Sequence, residues 1–199
     1  MTARQKQPLI ETLQENVSLF FEKFQEKHAD HMQCGRGCAK CCRVALNIFP
    51  VEAQRVYDWW CLLSRESRQE IVEAWKTQSY GETESPVCVF LVKEKCTIYD
   101  SRPVICRSQG APLKVFAAVS SEEDEPSVEL SLCELNFKEQ DKLPVVAEWL
   151  DLERLNTLLS IAQQQSQMRY ISEEINQIRN DEGERVSMSK LKSLLLQNT

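Results

Sequence analysis

Four of the chain's nine cysteines fall in one run of nine residues, Cys34-Gly35-Arg36-Gly37-Cys38-Ala39-Lys40-Cys41-Cys42. Intervals of two or three residues let successive sulfurs curl onto a single ion, whereas cysteines scattered through a core do not bunch in this way. Cys88, Cys96 and Cys106 form a second group, Cys133 follows alone, and Cys61 sits inside a helical pattern. An odd count excludes complete internal pairing. The segment Met1–Val17 has no apolar signal core, so a cytoplasmic location is expected. In that reducing setting clustered cysteines point to metal binding or redox chemistry rather than to disulfides.

The charge distribution agrees with thiolate chemistry. Cys34–Arg43 carries Arg36, Lys40 and Arg43 with no acid, and Cys88–Arg107 carries Lys93, Lys95, Arg102 and Arg107 against Glu94 and Asp100. These two segments are net +5 in a chain of net −6, which leaves −11 on the rest. Basic residues thus gather where the thiols are, lowering thiol pKa and offering N–H donors to sulfur. The overall acidity argues against nucleic acid as a partner, because such binding rests on neutralising phosphates. No apolar run approaches the length of a membrane span, so no membrane partner is expected.

The two cysteine segments read C-x3-C-x2-CC and C-x7-C-x-IY-x2-RP-x2-CR. In the first, the neighbouring Cys41 and Cys42 side chains diverge. The pair therefore serves two metals, bridges them, or leaves one thiol spare. In the second, Asp100 or Ser101 can cap a helical turn that Pro103 opens, with Cys106 inside it. Together the segments resemble the YkgJ-type cysteine-cluster family, the zinc- or iron-chelating domain. The matching residues are Cys34, Cys38, Cys41, Cys42, Pro86, Cys88, Phe90, Leu91, Cys96, Ile98, Tyr99, Arg102, Pro103, Cys106 and Arg107. The resemblance spans about Cys34 to Cys133 and departs at the first interval, C-x3-C where the family commonly has C-x2-C. It implies metal chelation, with Cys133 as the family's late cysteine and Glu52 as the acid of its following helix. Some relatives are associated with flagellin lysine methylation, and nothing outside the cluster points that way. Cys34, Cys38 and Cys41 also fit the C-x3-C-x2-C motif of radical-SAM proteins. Lys40 stands where that motif carries an aromatic residue, and no βα series follows.

The remaining candidates are weaker. His28 and His31 stand near Cys34, where they either reach a metal or serve as solvated helix-end residues. Glu52 reads as a solvated acid on a surface-type helix, which the resemblance raises to a ligand or acceptor candidate. Cys61, between Trp60 and Leu62, reads as a buried structural thiol, and Trp59 and Trp60 as core.

Periodicity supplies the scaffold. Leu9, Ile10, Leu13, Val17, Phe20, Phe21 and Phe24 form one stripe of a helix over Pro8–His31. Pro50 opens a second helix, and Arg65–Gln78 is a third. Tyr80–Pro86 reads as a polar connector, Val87–Arg107 as a small hairpin followed by a helical turn, and Ser120–Pro126 as a solvated acidic loop. SVELSL alternates as a strand does. Helical periodicity returns over Leu143–Arg179 with one break among the glutamines, and Ser187 caps a last helix carrying Leu191, Leu194 and Leu195. The expected fold is mainly α: helices around a metal-stapled, cysteine-rich irregular segment with at most a small β-hairpin. The expected organisation is an N-terminal helix over residues 1–33, a metal-binding domain over 34–137 and a helical extension over 138–199.

The expected ligands are Cys34, Cys38, Cys41, Cys42, Cys88, Cys96, Cys106 and Cys133, holding zinc, iron or an iron–sulfur cluster. The role is structural or partner-binding, with the C-terminal helices as a surface for a protein partner or self-association. The enzyme alternative requires an open coordination position beside Glu52, Tyr99 or an arginine, acting on a small molecule or a protein side chain. Radical or phosphate-loop chemistry is not expected, and the sequence leaves open whether any reaction is catalysed.

Overall fold

The computed structural model describes residues 8–35, 37–78, 86–116, 127–139, 142–167, 171–180, 182 and 184–199. Seven α-helices dominate them: α1 (Leu9–Lys27), α2 (Pro50–Leu62), α3 (Arg65–Lys76), α4 (Val104–Ser108), α5 (Leu152–Gln167), α6 (Glu173–Gln177) and α7 (Met188–Gln197). Seven short strands accompany them: β1 (Asn47–Ile48), β2 (Leu91–Val92), β3 (Lys95–Cys96), β4 (Leu113–Phe116), β5 (Val128–Ser131), β6 (Leu150–Asp151) and β7 (Val186–Ser187). The chain divides into two compact units, one of Met1–Cys34 with Ile105–Leu159 and the other of Gly35–Val104 with Ser160–Thr199.

In the first unit, α1 forms as its apolar stripe requires and buries Ile10, Leu13, Val17 and Phe24. Phe24, Met32 and Phe137 make a buried cluster against which Phe20, Phe21, Leu132 and Cys34 pack. The expected strand is β5, and it has a partner that sequence alone did not reveal. Leu113 faces Ser131 and Phe116 faces Val128 in an antiparallel pair, and β6 joins β4 in parallel. The Leu143–Arg179 stretch is accordingly not a single interrupted helix. Pro144 bars helix ahead of a short 3-10 turn at Val146–Glu148. Leu150 then donates its N–H to Pro112 O at 2.8 Å, and Asp151 accepts the Arg154 N–H at 2.9 Å to start α5. A two-residue strand leaves no periodic signature, so the apolar residues read as helix. The expected break among the glutamines falls where α5 ends, before α6 begins.

The second unit is organised by two tryptophans. Trp60 on α2 is fully buried and stacks on Trp75 of α3, with ring centroids 5.3 Å apart and planes 11° apart. Trp75 meets Phe90 at 5.7 Å, ahead of β2. Both indole N–H groups are satisfied: Trp60 donates to Asn198 O at 3.2 Å and Trp75 to Thr97 Oγ1 at 2.9 Å. Pro50 occupies the first turn of α2, and Ser64 and Ser187 cap α3 and α7 by accepting the N–H of Ser67 and Lys190. Leu191 and Leu195 are fully buried, so the leucine stripe of α7 serves this unit's own core. β1 pairs antiparallel with β7, and β2 with β3. Among the described residues the fold is helical with three small sheets, more β structure than the single hairpin expected. The connector at Tyr80–Pro86 and the acidic loop at Ser120–Pro126 lie almost wholly outside the described residues.

The stack assigns the largest local stability term to Trp60. Trp60→Ala should lower unfolding free energy by about 3–5 kcal/mol, and Ser187→Ala by about 1 kcal/mol, both read from urea denaturation of the metal-free protein.

Candidate metal centre

The hairpin does the local work of placing thiols. β2 and β3 pair Leu91 with Cys96 and Val92 with Lys95, and the connecting Lys93 and Glu94 both take positive φ, 47° and 60°. Two successive positive φ values match the twist of a tight hairpin but cost a non-glycine residue on the order of 1 kcal/mol each. The Cys88 N–H donates to Cys42 O at 2.7 Å, which ties the hairpin to the short 3-10 turn Lys40–Cys42. Four sulfurs of the second unit, on Cys41, Cys42, Cys88 and Cys96, thereby fall within range of one another's charge.

Their electrostatics show what this arrangement costs and how it is offset. Cys42 donates a hydrogen bond to Cys41, which brings Cys41 down to about 6 and pushes Cys42 up. Burial raises Cys88 and pushes Cys96 up to about 11, opposed by backbone hydrogen bonds at Phe90 and Leu91 for Cys88 and at Ile98 for Cys96. Each such donor sits two or three residues beyond its cysteine, where backbone N–H groups favour thiolate over thiol. Arg102 favours the charged form of Cys41 and Cys96, and Lys192 that of Cys88. Lys192 is fixed by bonds to Gln78 Oε1 at 2.7 Å and Val89 O at 2.9 Å, and burial lowers its own pKa. Neither Lys192 nor Gln78 was singled out by sequence, because both lie outside the cysteine segments.

Cys38 is half-buried in the same unit, after a turn in which its N–H donates to Gly35 O at 3.1 Å. Cys34, Cys106 and Cys133 belong to the first unit and are half-buried as well. Cys34 is held by the side chain of Asn136, another residue the sequence reading missed. The only sequence signal for it is its place one turn after Cys133, with the Asn136 N–H donating to Cys133 O at 2.9 Å.

Four weaker candidates have settled places. Glu52 is not a solvated acid: it is 2% exposed. Its carboxylate accepts the Phe49 N–H at 3.1 Å and the Val104 N–H at 2.8 Å, binding the starts of α2 and α4 together. Burial raises its pKa, and the two backbone donors oppose that shift. Cys61 is exposed rather than buried, because Trp60 takes the inward position on α2 and the next residue turns outward. His28 packs against Phe24 with ring centroids 4.5 Å apart and sits 3.3 Å from Glu148, while His31 lies 5.6 Å from the Phe137 ring.

The residues of Gln33–Glu134 match the family model CxxCxxCC, described as a putative zinc- or iron-chelating domain. The chain belongs to that family. No curated protein and no solved structure matches it.

The donor chemistry of the second unit fits what this family description implies. Four soft sulfur ligands, backbone N–H donors aimed at them and two nearby cations are what zinc, iron or an iron–sulfur cluster needs. Among the described residues no three thiols, imidazoles or carboxylates close to the spacing of a completed metal site. Coordination would therefore draw the sulfurs inward, with metal affinity and local folding coupled. No helix among the described residues is long and apolar enough to cross a membrane.

Glu52→Gln tests the acid's place directly. An amide can accept one of the two N–H bonds but turns a donor toward the other. Urea denaturation of the metal-free protein should show a loss of about 1–3 kcal/mol.

Proposed function

We propose that this chain chelates zinc or iron through thiolates and serves a structural or partner-binding role in a reducing compartment. The observation that carries the reading is the gathering of Cys41, Cys42, Cys88 and Cys96 beside Arg102 and Lys192. Without a metal, burial and the neighbouring sulfurs disfavour the charged form of Cys42, Cys88 and Cys96. A bound metal would displace their protons to solvent, and the resulting thiolates would share its charge. Cys38, Cys34, Cys106 and Cys133 complete the proposed ligand set, enough thiolates for two closed four-coordinate zinc sites or for an iron–sulfur cluster beside a second metal. The metal-binding portion is proposed as residues 34–137, with helices before and after it as scaffold and as a surface for a partner or a second copy.

One feature favours the enzyme alternative: Cys41 is exposed, so a metal it held would have a side turned to solvent. An open position there could accept a small molecule or a protein side chain, next to Arg102 lying 3.7 Å over the Tyr99 ring. Glu52 is engaged with two backbone donors and is not required in that reading. Azide or cyanide added to the metal-loaded protein separates the two cases. A perturbed metal spectrum favours the open site, and an unchanged one favours closed coordination.

Protein purified without oxygen should carry bound metal by elemental analysis. About two zinc per chain in a colourless sample is the expectation for closed sites, and brown colour with acid-labile sulfide for a cluster. Cys88→Ser and Cys106→Ser should each lower metal content and stability, while Cys61→Ser leaves both unchanged. Metal content equal to wild type in either of the first two variants removes that cysteine from the ligand set.

A further inference from the structure

Asn136 is 3% exposed, and its side chain makes a closed set of contacts within the first unit. Oδ1 accepts the Gln33 N–H at 2.8 Å, and Nδ2 donates to Gly110 O at 3.0 Å and to Cys34 Sγ at 3.2 Å. A backbone N–H can only donate and a carbonyl can only accept, so these two neighbours fix which end of the amide is which. The NH2 group must therefore face the sulfur. Its two hydrogens meet two acceptors, Gly110 O and Cys34 Sγ. The reverse bond, from a protonated Cys34 to Oδ1, spans 3.6 Å and is the longer contact.

The surroundings leave Cys34 little freedom. Gly110 takes φ +89°, and a Cβ added there would stand 2.5 Å from Cys34 Sγ, so the backbone passes directly against the sulfur. On the other side, Gln25 Nε2 donates to Cys34 O at 2.6 Å. Phe24, Met32 and Phe137 close the apolar side. In so apolar a pocket one directed N–H bond has a large effect on a charged sulfur.

We propose that Asn136 is a positioning residue for a metal-bound Cys34, fixing the sulfur's direction by donating an amide N–H to it. The proposal rests on the reading of Cys34 as a metal ligand, and it adds a residue outside the segment that matches the family. Asn136 touches no metal itself. It acts through the sulfur, as polar neighbours of metal ligands do, and loss of such a neighbour commonly weakens metal binding about 10- to 100-fold.

Cobalt(II) titration of wild type, Asn136→Asp, Cys34→Ser and the double variant tests this, followed by the sulfur-to-cobalt charge-transfer band. Asp keeps the shape but sets a carboxylate oxygen against the sulfur and against Gly110 O. Affinity should fall about 10- to 100-fold in Asn136→Asp, with a shifted band, and Asn136→Asp should cost nothing further in the Cys34→Ser background. A merely structural Asn136 would give the same loss in both backgrounds, and that result overturns the proposal. Equal affinity in wild type and Asn136→Asp overturns it too. Failure of wild type to bind cobalt overturns the metal reading, and this inference with it. A measurement on wild type covers the case in which the variant does not fold. On loading with cadmium-113, the Asn136 side-chain amide protons should move and couple to the metal through sulfur. Amide signals unchanged by loading overturn the proposal.

Discussion

Four thiols gathered beside one another are the constraint that the second unit's cysteine segments meet. Their charged forms repel one another, and burial removes the water that would have screened them. The structure answers with fixed donors: backbone N–H groups at Phe90, Leu91 and Ile98, the Arg102 guanidinium and the Lys192 ammonium. The Cys41–Cys42 contact acts in another way, lowering Cys41 and raising Cys42. Adjacent cysteines are an awkward pair for a single tetrahedral ion.

A two-by-two-residue hairpin cannot hold such an arrangement alone, because isolated hairpins are marginal in water. Its rigidity comes from the aromatic column behind it. Trp75 bonds Thr97 while stacking on Trp60 and meeting Phe90 at a tilt, and Thr97 itself donates to Phe90 O at 2.9 Å across the hairpin. Gln78 donates to the carbonyls of Val89 and Leu91, so the segment that runs from Cys88 into β2 is fastened at two points. Glu52 is the other fastening. A buried acid is ordinarily a liability, but here two helix starts supply N–H groups that have no partner within their own helices. The acid and the helix ends thus satisfy one another.

What could be read from sequence follows the length scale of each signal. Helices of nearly three turns or more announce themselves by periodicity and caps, as α1, α2 and α7 did through Leu13 and Val17, Pro50 and Ser187. Two-residue strands such as β1, β6 and β7 have no period to detect, and their pairing depends on partners more than thirty residues away. The cysteine pattern was legible because spacing and residue type alone express it. The direction of a side chain was not. Cys61 and Glu52 were each judged by their neighbours in sequence, whereas one hundred degrees of rotation per residue decides which of Trp60 and Cys61 faces inward. Lys192 and Asn136 were invisible for a related reason, since neither lies in a cysteine segment and each is defined by what the fold brings to it.

The extra residue in the first interval, C-x3-C rather than C-x2-C, changes what the leading cysteine can be. Gly37 takes φ +94°, a conformation that side-chain-bearing residues rarely adopt, and the chain uses it to close the turn in which Cys38 N–H meets Gly35 O. Cys38 is thereby placed by its own turn, not by Cys34. Cys34 in its turn is fixed by Gln25, Gly110 and Asn136, none of which belongs to the cysteine run. A two-residue interval would couple the positions of the first two sulfurs through one short loop. With the three-residue interval present here, the first sulfur has supports of its own. The amide of Asn136 and the bare backbone of Gly110 are those supports, and a departure that looks like slack in the motif is matched by added constraint elsewhere in the chain.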